Sequence, residues 1–181
     1  MASKTLLTVE QFLQSPEMAD ERRRFELRNG ERFEMGIPSP WHNQVRDRFF
    51  FSLTQFVDDK NLGRVVAEQG IQIDSNSWYV PDVAFWDSAR WATIDQDRSP
   101  IQVMPQLVIE VVSPSEPGPL EKADDYLRAG VHTVWVAFRR PYEIHILERA
   151  GGRRIVRAGE KLEAPVLLPG FSVDAAHFLP K

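Results

Sequence analysis

Apolar positions along this chain change period several times, and each change predicts an element. Thr8-Val-Glu-Gln11 fits a capping box and opens a short helix to about Ser15, which Pro16 ends. Phe25 and Leu27 alternate with charges, Asn29-Gly30 follows, and Phe33 and Met35 alternate again. That is a hairpin, because Asn-Gly supplies the positive-φ positions of a type I′ turn. Pro38-Ser-Pro40 breaks the chain. From His42 to about Asp59, Val45, Phe49, Leu53 and Phe56 recur at steps of three and four, the stripe of a helix that Asn61-Leu-Gly63 ends. Residues 64–73 read as one strand, 74–77 as a turn, and Trp78 to Trp86 as a second strand interrupted by Pro81. Residues 88–105 read as irregular, with Pro100 and Pro105 as punctuation.

The β-branched run Gln106–Val112 predicts a central strand covered on both faces. Ser113-Pro-Ser-Glu-Pro-Gly-Pro119 cannot be regular structure, but a helix can start on Pro119 and stop at Gly130. Thr133–Phe138 is a further strand, and Tyr142–Glu148 with Arg153–Arg157 forms a hairpin across Ala150-Gly-Gly152. From residue 42 the order is α, β, β, β, α, β, preceded by the first hairpin. This favours an α/β or α+β fold, a sheet flanked by helices, over a sandwich. Without an internal repeat or a long linker, residues 1–181 are expected to form a single domain.

Composition changes this picture mainly by exclusion. Hydrophobic residues are 43% and charged ones 27%, so the chain is neither disordered nor fibrous. No apolar run approaches the roughly 20 residues that cross a bilayer, and the start has no leader-like apolar core. With no cysteine, disulfides, thiolate metal sites and a cysteine nucleophile are excluded. A cytoplasmic protein, not attached to a membrane, is the expectation. The balance is acidic, at a formal net charge of −4, which argues against a protein that coats nucleic acid by charge alone. It leaves open an enzyme that engages phosphate through a metal. Arg22-Arg23-Arg24 is the densest cationic run and reads as a solvated face or a phosphate contact.

Three charged residues stand where charge is expensive. Glu110 sits inside Leu-Val-Ile-Glu-Val-Val, and an unpaired carboxylate there would cost several kcal/mol. A cationic partner such as Lys122, hydrogen bonds or a metal must compensate it. Asp82 follows Pro81 where an extended strand begins or bends; it is either a turn residue or a second carboxylate aimed at the spot Glu110 reaches. Paired oxygen ligands of this kind suit magnesium or manganese. Lys122 lies early in the next helix, and Tyr126 shares its face four residues on.

These residues occur in a recognisable order. Phe25-Glu-Leu-Arg-Asn-Gly30, Pro38-Ser-Pro-Trp-His42, Pro81-Asp-Val83, Leu107-Val-Ile-Glu-Val-Val-Ser-Pro-Ser115, Lys122 with Tyr126, Gly130-Val131, Trp135-Val136 and Leu168-Pro-Gly-Phe171 follow one another. The chain resembles the bacterial putative restriction endonuclease family, long known as a domain of unknown function, within the PD-(D/E)XK nuclease superfamily. The resemblance runs from about residue 8 to 178 and implies a restriction endonuclease-like αβββαβ core with a mixed central sheet. It implies Asp82, Glu110 and Lys122 as the catalytic set. The parent pattern places its lysine two residues after the strand acid, where this chain has Val112, so the amine is expected from the helix as Lys122. Glu26 matches the family's early glutamate, and His42 its histidine at the start of the long helix. The resemblance further implies Mg2+ or Mn2+ held by Asp82, Glu110 and the Val111 carbonyl, DNA as substrate, and a homodimer that cuts both strands. The alternative is a catalytically inactive module of the same fold that binds nucleic acid or a protein partner.

Overall fold

The computed structural model describes residues 6–20, 23–114 and 117–180. Arg22 of the arginine run and Ser115 of the loop motif lie outside the described residues. Helix α1 (Val9–Leu13) opens on the expected capping box, with Thr8 and Gln11 exchanging hydrogen bonds. Strands β1 (Phe25–Arg28) and β2 (Glu31–Glu34) form the expected hairpin; Asn29 and Gly30 have φ of 49° and 79°. Helix α2 runs Pro40–Asp59. Proline stands in its first turn and Ser39 caps it, accepting from the His42 amide. His42 is thereby fixed in the first turn.

The expected strand over 64–73 is two strands. Strand β3 (Gly63–Ala67) ends at Glu68, whose φ is 53°, and β4 (Ile71–Gln72) belongs to a different sheet. Trp78 to Trp86 divides likewise into β5 (Trp78–Tyr79) and β6 (Val83–Asp87). The chain leaves the central sheet after β3, makes β4 and β5 beside the hairpin, and returns across Pro81-Asp82. Proline lacks the N–H a continuous ladder needs, which is why the break falls there. The stretch expected to be irregular carries one helical turn, α3 (Ser88–Trp91), capped by Asp87.

The remaining elements follow the periodicity closely. Strand β7 is Leu107–Val111, α4 is Pro119–Ala129 with Gly130 at φ 114°, and β8 is Thr133–Phe138. Strands β9 (Glu143–Glu148) and β10 (Arg153–Arg157) form the second hairpin. A small pair not foreseen from the pattern, β11 (Lys161–Glu163) and β12 (Ser172–Asp174), closes the chain.

The central sheet has the order β10-β9-β8-β7-β6-β3; β7 and β8 are parallel and every other neighbouring pair antiparallel, so the sheet is mixed. The second sheet is β2-β1-β5-β4. Alternation sorts the central core into two layers. Val83, Phe85, Leu107, Ile109 and Trp135 pack with Val45, Phe49, Leu53 and Val57 of α2, and Phe171 and Phe178 close that layer. Ala84, Trp86, Val108, Val134 and Val136 pack with Ala123 and Tyr126 of α4. Glu110 shares the parity of Val108 and therefore faces α4.

Candidate active site

Five charged or polar side chains from separate parts of the chain line one pocket: Glu26 of β1, His42 of α2, Asp82 just before β6, Glu110 of β7 and Lys122 of α4. The place follows from the topology. Glu26 comes from the second sheet and Glu110 from the central one, and Asp82 sits where the chain crosses between them.

The Lys122 Nζ lies 2.8 Å from Glu26 Oε1 and 3.0 Å from Glu110 Oε1. Its side chain is 2% exposed. Glu110 Oε1 also accepts from the Tyr126 hydroxyl at 2.8 Å. Glu26 is fully enclosed: Oε1 accepts from the Val80 amide at 2.9 Å, and Oε2 takes two N–H groups of Arg28 at 3.1 and 2.7 Å. Burial pushes the Glu26 carboxyl up, but Lys122, Arg28 and the Val80 amide together pull harder and hold it below its ordinary value of 4.5. Burial, reinforced by the charge of Glu110, holds the Tyr126 phenol well above its ordinary value, so Tyr126 remains a donor.

Asp82 is tied on both oxygens. Its Oδ1 meets His42 Nε2 at 2.8 Å and its Oδ2 accepts from the Val111 amide at 2.7 Å. A carboxylate only accepts, so Nε2 carries the proton in this contact. His42 Nδ1 lies 3.3 Å from Ser113 Oγ, completing a chain from the β7–α4 loop to Asp82. The residue expected to offer a carbonyl, Val111, is thus seen here through its N–H.

Sequence comparison matches residues 9–176 to the Uma2 family, described as "Putative restriction endonuclease". The chain belongs to the Uma2 family. Among solved structures, the fold of this Uma2 chain is similar to a crystal structure from Anabaena variabilis, described as a putative nuclease belonging to DUF820. The two share 13% identity at a TM-score of 0.80, over 95% of this chain and 97% of that one. The search of curated proteins found no match.

All five residues singled out in the Uma2 sequence therefore reach one pocket, and the helix amine stands beside the strand acid although Val112 occupies the parent position. Arg28 and Ser113 were missed as participants, and Tyr126 was named only for the helix face it shares with Lys122. Arg28 lies two residues after Glu26, so strand periodicity places both on one face and was the available signal. Tyr126 belongs to the α4 core layer and also bonds Glu110; a shared helix face with Lys122 pointed there. Ser113 carried no signal beyond its place in the loop motif.

Proposed function

We propose that this protein is a divalent-metal-dependent endonuclease that hydrolyses phosphodiester bonds of DNA, acting as a homodimer. The observation that carries this reading is the convergence of Asp82, Glu110 and Lys122 on one pocket from three separate elements. Asp82, just before β6, and Glu110 of β7 bring carboxylate oxygens into the pocket from neighbouring strands of the central sheet. Hard oxygen donors of this kind fit Mg2+ or Mn2+. Among the described residues no group of three or more His, Asp or Glu is assembled for a metal, so Asp82 and Glu110, with Val111 beside them, would hold a largely hydrated ion. Such an ion supplies charge neutralisation at phosphate and a bound water of lowered pKa.

The chain's own residues divide the remaining work. Two buried carboxylates flank Lys122, so charge balance keeps it an ammonium, and its role is to fix Glu110 and neutralise charge that builds on the phosphoryl oxygens. Tyr126 sets the orientation of Glu110. Asp82 holds the His42 tautomer and so directs Nδ1 at the Ser113 hydroxyl beside the pocket. The test is cleavage of supercoiled plasmid DNA with Mg2+ or Mn2+ against a chelator control. Nicking or linearisation that needs the metal and is lost in Glu110→Gln supports the reading; intact plasmid under every metal condition overturns it. Light scattering at micromolar concentration returning the monomer mass of 20.8 kDa would overturn the dimer. One observation favours the alternative, a non-cleaving binding module: both oxygens of Asp82 already have protein partners. In that case plasmid is retained but not cut.

A further inference from the structure

Beside the pocket, one carboxylate oxygen serves two arginines. Glu68 Oε1 accepts from Arg24 at 3.0 Å and from Arg46 at 2.8 Å. The three groups come from distant parts of the chain: the residue before β1, the second turn of α2, and the break between β3 and β4. Arg46 lies four residues after His42, on the same side of α2. Arg24 and Glu68 themselves line the pocket. Glu68 has φ 53° although it is not glycine, and its amide donates to the Asp82 carbonyl at 3.2 Å. A non-glycine residue in this region is strained, and such strain is kept where the surroundings require the side chain at that place.

A surface ion pair does not repay that strain, since exposed pairs contribute little. The side chains of Arg24 and Glu68 are 39% and 35% exposed, within reach of a solute in the pocket. Arg46 keeps Nε and Nη2 on Asp47 Oδ1 and gives Nη1 to Glu68, so a phosphodiester can do what the Glu68 carboxylate does here, offering one anionic oxygen to Arg24 and to that Nη1. Resting on the nuclease reading above, we infer that Arg24 and Arg46 form a backbone-phosphate subsite for DNA, and that Glu68 occupies it as an internal stand-in until a strand displaces it. The phosphate bound there is placed beside the one at Asp82 and Glu110, because Arg24 and Glu68 line the same pocket as those two acids. Arg24 and Arg46 thus set the path of the strand, while Glu68 lowers affinity for DNA and limits binding of other polyanions.

The test measures binding without cleavage. A fluorescent duplex is titrated in metal-free buffer by anisotropy over a series of NaCl concentrations, with thermal melting of each variant as a control for folding. Each phosphate contact contributes about 0.9 to the slope of log K against log salt. Arg24→Gln and Arg46→Gln should each reduce the slope by about 1, and Arg24→Lys should retain it. Glu68→Gln, which keeps the backbone and removes the charge, should tighten binding several-fold. Weaker or unchanged binding by Glu68→Gln, unaltered slopes in both arginine variants, or no measurable binding of the duplex overturns the subsite. The two readings fail separately. Shifted slopes in a protein that never cuts plasmid sink the nuclease and leave the subsite standing; cleavage with unaltered slopes does the reverse.

Discussion

Lys122 is the residue on which most of the site's electrostatics depends. It is the shared cation of Glu26 and Glu110, with its Nζ 2.8 and 3.0 Å from their carboxylates. Replacing it by methionine leaves two enclosed acids without that partner, a change that costs about 3–5 kcal/mol for a buried pair. We expect Lys122→Met to fall in stability by that order in urea unfolding. Adding Glu26→Gln should recover part of the loss, because the two positions are coupled and their effects cannot add. A double variant as unstable as the sum of the singles would show that the ion pair is incidental. Glu26 also predicts a pH dependence. Its folded carboxyl lies below the ordinary 4.5, so its contribution is complete above that value and is lost as pH falls through the lowered one. The melting temperature of the wild type should therefore drop in acid more steeply than that of Glu26→Gln. Parallel curves would remove Glu26 from the account. Glu110 and Lys122 were legible because charge in a β-branched run demands a partner. Glu26 was not legible by that argument, since it alternates with apolar residues like any strand acid; only the family resemblance marked it.

At the scale of elements, the joint between α2 and β3 is the least forgiving. Gly63 has φ 152°, and a Cβ there would stand 2.0 Å from the Trp86 carbonyl oxygen and 2.7 Å from Asp87 Cα. These are backbone atoms of the paired strand β6, which cannot move without opening the β3–β6 ladder. Gly63→Ala should cost at least about 3 kcal/mol, read from the denaturation midpoint, against the 0.5–3 kcal/mol of ordinary substitutions. A shift under about 1 kcal/mol would mean that the edge strand adapts freely. What the sequence disclosed at this scale follows the range of the forces involved. Asn29-Gly30, the Thr8 capping box, Pro119 and Gly130 act within one turn, and the elements they bound appear as expected. The break at Glu68 is imposed from outside: Val65, Val66, Ile71 and Ile73 look like one strand, and glutamate has no preference for positive φ. The second sheet decides it: β4 pairs with β5, and β5 pairs with β1, about fifty residues earlier in the chain. The strands β11 and β12 are three residues each, too short to show a period, yet Leu162, Leu168 and Phe171 around them complete the α2 layer.

At the scale of the whole molecule, the question is how an acidic chain can handle a polyanion. Among the described residues no helix is long and apolar enough to cross a membrane. The net charge of −4 repels DNA at long range. A divalent ion is the economical correction, because it adds positive charge only where phosphate must approach. This makes metal binding testable without turnover. A ligand that binds only the folded state stabilises it by mass action, about 2.7 kcal/mol when present at one hundred times its dissociation constant. Millimolar Mn2+ or Mg2+ should therefore raise the melting temperature of the wild type. Asp82→Asn should abolish the rise: the amide oxygen can still accept from Val111, so the fold keeps that bond, while the charge that holds the ion is gone. Asp82→Ala is the poorer probe. The repulsion between two nearby carboxylates, up to roughly 4 kcal/mol at 4 Å and an effective dielectric of about 20, suggests from the sequence that alanine relieves strain. The structure points the other way, since alanine strips the Val111 amide and His42 of their acceptor. A wild type whose melting temperature ignores both metals would mean that protein partners alone, His42 and Val111 for Asp82 and Lys122 and Tyr126 for Glu110 among them, hold the two acids, and that the pocket takes up no ion.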